Sequence, residues 1–216
     1  MILTISADAV PRDSWWLGRG KPVFDRIGAA LLLLLLAPVI GALWLIVRRD
    51  GGPGFFGHQR VGRHGRLFRC WKIRSMVPDA DARLTRHLAE NPAAAAEWAR
   101  DFKLTDDPRI TRLGAFLRRS SLDELPQLWN VLMGQMSLVG PRPVTPAEYA
   151  SYGRSQRYYS RLRPGLTGLW QVSGRNATGY RARVALDVGY YWRASAMLDL
   201  RILLATAGVV LRRTGC

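Results

Sequence analysis

From Gly28 to Val47 the chain reads GAALLLLLLAPVIGALWLIV, 20 residues without a charge. At 1.5 Å of rise per residue, such a helix reaches about 30 Å, the thickness of a bilayer's hydrocarbon core. The stretch begins too far from Met1 and lacks the small-residue cleavage site of a signal peptide. The ordinary reading is a spanning helix, but two features favour a re-entrant hairpin. Arg19, Lys21 and Arg26 precede the stretch and Arg48 and Arg49 follow it, so the positive-inside rule holds both ends on the cytoplasmic side. Pro38 lies at the middle and divides the run into halves of roughly 15 Å, enough to reach mid-bilayer and return. A kinked span is the alternative. Backbone groups exposed at a break would have to be satisfied locally.

The charge excess asks for a polyanion. Against 16 Asp and Glu stand 32 Lys and Arg, a net +16 with a pI near 11.2. That balance fits nucleic acid, an anionic membrane surface or phosphorylated substrates. Cys70 and Cys216 offer no disulfide framework, and His58, His64 and His87 are too scattered for a zinc site. Such cysteine usage suits a reducing cytosol. The length of 216 residues accommodates one domain with an anchor. The organisation expected is a leader over 1–22, a membrane hairpin over 23–48 and a catalytic domain over 49–216. In the leader, Trp15 and Trp16 are either interfacial anchors or packing residues.

Beyond the anchor, GGPGFFGHQRVGRHGRLFRCWKIRSM (51–76) predicts a β-hairpin turning at Gly62-Arg63-His64-Gly65. Lys72 and Arg74 would then face an anion or water. Residues 79–104 predict two helices joined at Asn91-Pro92. A helix from Met197 carries the apolar stretch Ile202–Leu211, too short to span and suited to a core or an interface. The fold class expected is mainly α with a small β-hairpin (α+β).

The stretch SSLDELPQL (120–128) is dense in chemistry. Ser121 followed by Glu124 reads as a capping box, with Asp123 favoured by the helix dipole. With Ser121 as N-cap, Pro126 is the fifth helical residue, where its missing N–H and its ring cost about 3 kcal/mol. A mere cap has no use for that defect. A distorted, amide-rich helix start does attract phosphates and keeps an aspartate ionised. Just before it, helical spacing places Ile110, Leu113, Phe116 and Leu117 on one side, leaving Arg118 and Arg119 at the helix end beside Asp123. Those arginines either complement the helix dipole or offer forks to a diphosphate. Downstream, Pro141-Arg142-Pro143 holds Arg142 in a stiff, extended frame. RPGLTGLWQVSGRN (163–176) suits a loop shaped around a ligand.

SLDELPQLWNVLMGQMSLVGPRP, together with DPRITRLGAFLRRSSLDELP, KIRSM, RPGLTGLWQVSGR and LDLRILLAT, resembles the bacterial sugar transferases, the monotopic polyprenyl-phosphate phosphoglycosyl transferases. The resemblance covers roughly residues 20–213. It implies a re-entrant membrane helix broken at Pro38, an active site on the cytoplasmic face of the bacterial inner membrane, and Mg²⁺. It also implies transfer of a sugar phosphate from a UDP-sugar to undecaprenyl phosphate, with release of UMP, as in members that initiate exopolysaccharide assembly. By position, the resemblance makes Asp123 the nucleophile and metal contact and Glu124 its acidic partner. Arg118 becomes a phosphate-binding arginine, and Arg142, framed by Pro141 and Pro143, the nucleotide-side residue. Lys72 transfers as a further substrate-binding residue. One departure is Ala37 before Pro38, where many members carry a serine. The partners expected are the UDP-sugar, undecaprenyl phosphate and an anionic membrane surface, with no nucleic acid. A homodimer is compatible with the sequence, which carries no signal for oligomeric state and none for the identity of the sugar.

Three rival classes fit less well. A glycoside hydrolase needs carboxylates about 5–9 Å apart across a bond, which adjacent helical residues supply poorly. A nucleic-acid-binding protein would use the charge, but the chain lacks a docking motif and its apolar segment would go unexplained. An inactive membrane adaptor explains the anchor and leaves the acidic turn without a purpose.

Overall fold

The computed structural model describes residues 15–101, 104–174 and 179–211. A short π-helical segment, Trp16–Gly20, leads into α1 (Lys21–Val47). A hairpin follows, β1 (Phe55–Val61) and β2 (Leu67–Ile73), and then α2 (Ala80–Glu90), α3 (Pro92–Asp101) and α4 (Arg112–Ser120). Next come α5 (Gln127–Leu132), β3 (Ser137–Val139), α6 (Pro146–Ala150), α7 (Gln156–Tyr159) and β4 (Gly165–Thr167). The described chain closes with α8 (Leu169–Val172), α9 (Tyr180–Arg193) and α10 (Ala196–Leu211). The expected α+β class is what forms: β1 and β2 pair antiparallel, and the short β3 and β4 pair parallel. The hairpin turns where glycine spacing puts it, with His64 and Gly65 both at positive φ. The Asn91-Pro92 junction separates α2 from α3 as expected.

α1 is a single helix of 27 residues with Pro38 inside it. The expected helix-break-helix is therefore not seen as a loss of helix at Ala37-Pro38. A proline deletes one backbone hydrogen bond and crowds the carbonyl one turn earlier, and flanking turns can hold the helix through that defect. Packing supplies the hold. Lys21, Asp25, Ala29, Leu43 and Val47 are buried, and Leu33, Leu36 and Ile40 pack partly against the domain, a seam advancing three or four residues at a time. On the other side Leu31, Leu34 and Leu35 are 63%, 79% and 71% exposed. The helix thus lies along the domain with an apolar face uncovered.

Both ends of α1 are latched. At the start, Lys21 Nζ meets Asp199 Oδ2 at 2.6 Å and Asp25 Oδ1 at 3.6 Å, while Trp16 Nε1 donates to the same Asp199 oxygen at 3.0 Å. Asp25 Oδ1 accepts the Leu138 N–H at 3.1 Å. At the end, buried Arg74 donates to the Val47 carbonyl at 3.0 Å, the Met76 carbonyl at 2.7 Å and the Pro53 carbonyl at 2.6 Å, and forks onto Asp50. The anion that Arg74 meets is thus the Asp50 carboxylate of its own chain, and the same guanidinium satisfies carbonyls at a helix C-terminus. Of the two leader tryptophans, Trp16 is buried and Trp15 is exposed. Residues 1–14 of the leader lie outside the described residues.

The main core gathers Ala29, Phe68, Cys70, Leu128, Val131, Met136, Leu138 and residues of α9 and α10. A smaller cluster joins Leu43 and Val47 of α1 to Ile73 and Leu117. Phe116 departs from the expected apolar side of α4: it is exposed, whereas Leu117 is fully buried.

Candidate active site

The acidic turn is built differently from the capped helix that its spacing suggests. Ser121 does not cap with its side chain; it takes a left-handed conformation, φ 57°, and ends α4 by donating its backbone N–H towards the Arg118 and Leu117 carbonyls. The chain then makes a tight 3₁₀ turn, Leu122–Glu124, before α5 opens. Pro126 stands at the N-cap of α5, where a missing N–H breaks no helical bond. The expected defect of about 3 kcal/mol is consequently absent. A capping box does occur, but at Thr145 and Glu148.

This turn places two acids side by side against β2. Asp123 is 5% exposed, and its Oδ2 lies 3.2 Å from Lys72 Nζ. Glu124 Oε1 lies 2.8 Å from the same nitrogen. Neighbouring residues on a helix diverge by about 100°, yet here both carboxylates converge on one ammonium because Lys72 reaches between them. Burial pushes the Asp123 carboxyl above its usual range, Lys72 opposes the rise, Glu124 adds to it and Arg118 opposes it. Burial disfavours the Lys72 ammonium, but Glu124 and Asp123 more than restore it.

Arg118 is set by a close approach of two backbones. A Cβ on Gly114 would fall 1.8 Å from the Ser75 carbonyl oxygen, so only glycine lets α4 lie this near the end of β2. From there Arg118 Nε donates to Ser75 Oγ at 2.8 Å, and its charge bears on Asp123. Asn130 locks β2 to α5, accepting the Trp71 N–H at 3.0 Å and donating to the Arg69 carbonyl at 2.7 Å. Lys72 and the acidic turn are thereby held in register.

Arg142 stands further along the same side. Its guanidinium carbon lies 5.8 Å from the Trp170 ring centroid, and its charge lowers the proton affinity of Lys72. The frame around it is firm: the Pro141 carbonyl accepts the Gly165 N–H at 2.8 Å, and the Pro143 carbonyl accepts from Arg60 at 3.4 Å. The structure thus brings together Lys72, Arg118, Asp123 and Glu124, with Arg142 in electrostatic reach. Pro38 lies inside α1 and is not part of this cluster.

Several residues beside this site carry no local signal in the sequence. Ser75 and Asn130 act through partners 43 and 59 residues away. Arg183 stacks over Trp170 at 5.1 Å and pairs with Glu148 at 3.4 Å, and Arg60 pairs with Glu148 at 3.2 Å. Tyr152 donates to buried Asp187 at 2.8 Å, whose carboxyl burial pushes up to about 6. Of the expected ligand-shaped loop 163–176, residues 175 and 176 lie outside the described residues.

A divalent cation fits the donor set. Among the described residues no group of three or more His, Cys, Asp and Glu could hold a metal ion. Two adjacent carboxylates already sharing one cation nevertheless suit Mg²⁺, which takes one or two protein carboxylates and completes its shell with water and substrate phosphate.

Comparison with known proteins places this arrangement. Residues 16–213 match the family described as bacterial sugar transferase. The undecaprenyl-phosphate galactose phosphotransferase of Salmonella typhimurium is 50% identical over 215 residues, 100% of this chain and 44% of that protein. The UDP-galactose-lipid carrier transferase of Erwinia amylovora is 51% identical over 215 residues, again 100% of this chain and 44% of the relative. The exopolysaccharide production protein ExoY of Sinorhizobium fredii is 46% identical over 194 residues, 89% of this chain and 86% of its own length. The chain spans less than half the length of the first two relatives.

Proposed function

Because the chain belongs to the bacterial sugar transferase family, we propose that it moves a sugar 1-phosphate from a UDP-sugar to undecaprenyl phosphate, releasing UMP. The observation that carries this reading is the buried Asp123 held beside Glu124, Lys72 and Arg118 within the matched span. The names of the relatives, which specify undecaprenyl phosphate, a UDP-galactose donor and exopolysaccharide production, support the substrate classes.

In the first step an Asp123 carboxylate oxygen attacks the β-phosphorus of the donor. The bond to the bridging oxygen breaks, UMP leaves with that electron pair, and an aspartyl phosphosugar remains. In the second step a phosphate oxygen of undecaprenyl phosphate attacks the same phosphorus and Asp123 departs as carboxylate. One phosphoanhydride replaces another, so the barrier is lowered by positioning and charge stabilisation. Lys72 favours the ionised form of Asp123 and pairs with Glu124 until the donor's phosphates can share its ammonium. Arg118 neutralises phosphoryl oxygens, and Arg142 in its proline frame serves the nucleotide side. Asp123 and Glu124 would hold Mg²⁺, which when bound supplies further charge neutralisation at the diphosphate.

The same reading puts α1 into the cytoplasmic leaflet of the inner membrane as a re-entrant element. Its support is that both ends of the helix are latched to one domain, through Asp199 at one end and Arg74 at the other. A helix that crossed the bilayer would carry one of its ends away from that domain. The uncovered leucines face lipid.

The experiment is a donor half-reaction. Enzyme and Mg²⁺ should release about one equivalent of UMP from UDP-sugar before any lipid acceptor is added. Intact mass after a rapid quench should find the sugar phosphate on the peptide containing Asp123, and Asp123→Asn should abolish both burst and adduct. UMP release that strictly requires undecaprenyl phosphate, with no adduct at any time, would replace this route by a ternary complex.

A further inference from the structure

A cavity of about 240 Å³ opens between the start of α1 and the turn of the hairpin. Lys21, Arg63, Arg161 and Arg163 line it together with Tyr190 and Tyr191. Its charge is unbalanced. Lys21 is taken up by Asp199 and Asp25, which also lines the cavity. Arg161 donates to the Tyr191 hydroxyl at 2.8 Å, a neutral partner. Among the described residues, Arg63, Arg161 and Arg163 form no ion pair with a carboxylate. Burial and the nearby charge of Arg63 lower the proton affinity of Arg163, Asp25 opposes them, and Arg26 adds to the lowering.

The cavity is remote from the acidic turn. Along β2, Leu67 to Lys72 alone covers about 17 Å at about 3.3 Å per residue, and Arg63 lies beyond Leu67 in the turn. A phosphate held there cannot meet Asp123. The cavity is also smaller than the roughly 300 Å³ at which pockets for drug-sized ligands begin, so it suits a headgroup better than a nucleotide. The cavity lies under the start of α1, whose outward side there carries Trp15, Val23 and Ile27, 65%, 57% and 58% exposed.

We propose that this cavity binds the phosphate of an anionic bilayer phospholipid among Arg63, Arg161 and Arg163. The site rests on the reading that α1 lies in the membrane, and it is independent of the chemistry at Asp123. A phosphate ion shares the recognising chemistry. The position of the cavity at the start of α1, the element read as lying in the membrane, favours the lipid as its source.

Native mass spectrometry of the full chain released from detergent tests this, with phosphatidylglycerol, phosphatidylcholine and inorganic phosphate as probes. The parent should retain phosphatidylglycerol in preference to phosphatidylcholine, whose own ammonium the arginines repel. Asp123→Asn should retain it equally, although it lacks the UMP burst, so that loss of lipid binding and loss of the proposed reaction are read separately. Arg63→Gln/Arg161→Gln/Arg163→Gln should weaken phosphatidylglycerol binding on the order of 10- to 100-fold and leave UMP release in detergent unchanged. The double variant Arg63→Gln/Arg161→Gln, altered only at exposed positions, should fall between. Unchanged retention by the double and triple variants, or equal retention of both lipids by the parent, overturns the proposal. Displacement of phosphatidylglycerol by an equal concentration of inorganic phosphate overturns the lipid assignment.

Discussion

Asp123 is pulled both ways: burial raises its proton affinity, and Lys72 and Arg118 lower it. Lys72→Met removes the stronger of those two cations. The acid limb of the pH dependence of kcat/KM should therefore move to higher pH, read from UMP release across a pH series. Arg118→Ala should lower kcat by about 10²- to 10³-fold, as for loss of one charge-stabilising donor, and Arg118→Lys should recover only part, since a point charge does not replace a fork. Asp187 gives a stability signature. Its carboxyl sits at about 6 in the folded chain against about 3.9 when unfolded, so the folded state holds the proton more tightly. Stability from this group is present at low pH and falls as pH rises through that window. The melting temperature of the parent relative to Asp187→Asn should accordingly fall between about pH 4 and pH 6 and level off above. Lys72, Arg118, Asp123, Glu124 and Arg142 are legible in sequence because each lies in a short, ordered pattern. Ser75, Asn130 and Arg183 are not, because what they do depends on partners brought near by the fold.

At the level of elements, the hairpin and the break before Pro92 are legible because glycine and proline act on their own backbone. Pro126 misleads for a related reason. Its cost depends on where the helix begins, and the left-handed Ser121 shifts that start to Gln127. Arg74 reads as facing an anion or water, and it does meet Asp50, but its carbonyl partners are not legible because strand alternation says nothing of a helix end arriving from 27 residues earlier. Arg74→Ala leaves the Val47, Pro53 and Met76 carbonyls without this donor, and the loss should be about 2–3 kcal/mol. Asp50→Asn should cost less than about 1 kcal/mol, because Asp50 is partly exposed. Thermal unfolding of the two variants in the same detergent gives the comparison.

For the whole molecule, the sequence identifies an apolar segment with basic flanks, and the structure adds that both flanks are tied to one body. Cysteines introduced singly at Arg19 and Arg49, in a background lacking Cys70 and Cys216, should both be labelled from the cytoplasm alone. Labelling of the Arg19 site from the periplasm would make α1 a span. The latch at the start of α1 also sets a schedule for making the protein. Lys21 and Asp199 are 178 residues apart, and at about 5–20 residues per second a ribosome needs roughly ten to thirty-five seconds to cover that distance. During that interval the leucine-rich helix has no Asp199 to hold it, and if α1 lies in the membrane as proposed, the bilayer is the partner at hand. On that reading membrane entry precedes closure of the domain, and α10 fastens a helix whose Lys21 is made 178 residues before its Asp199.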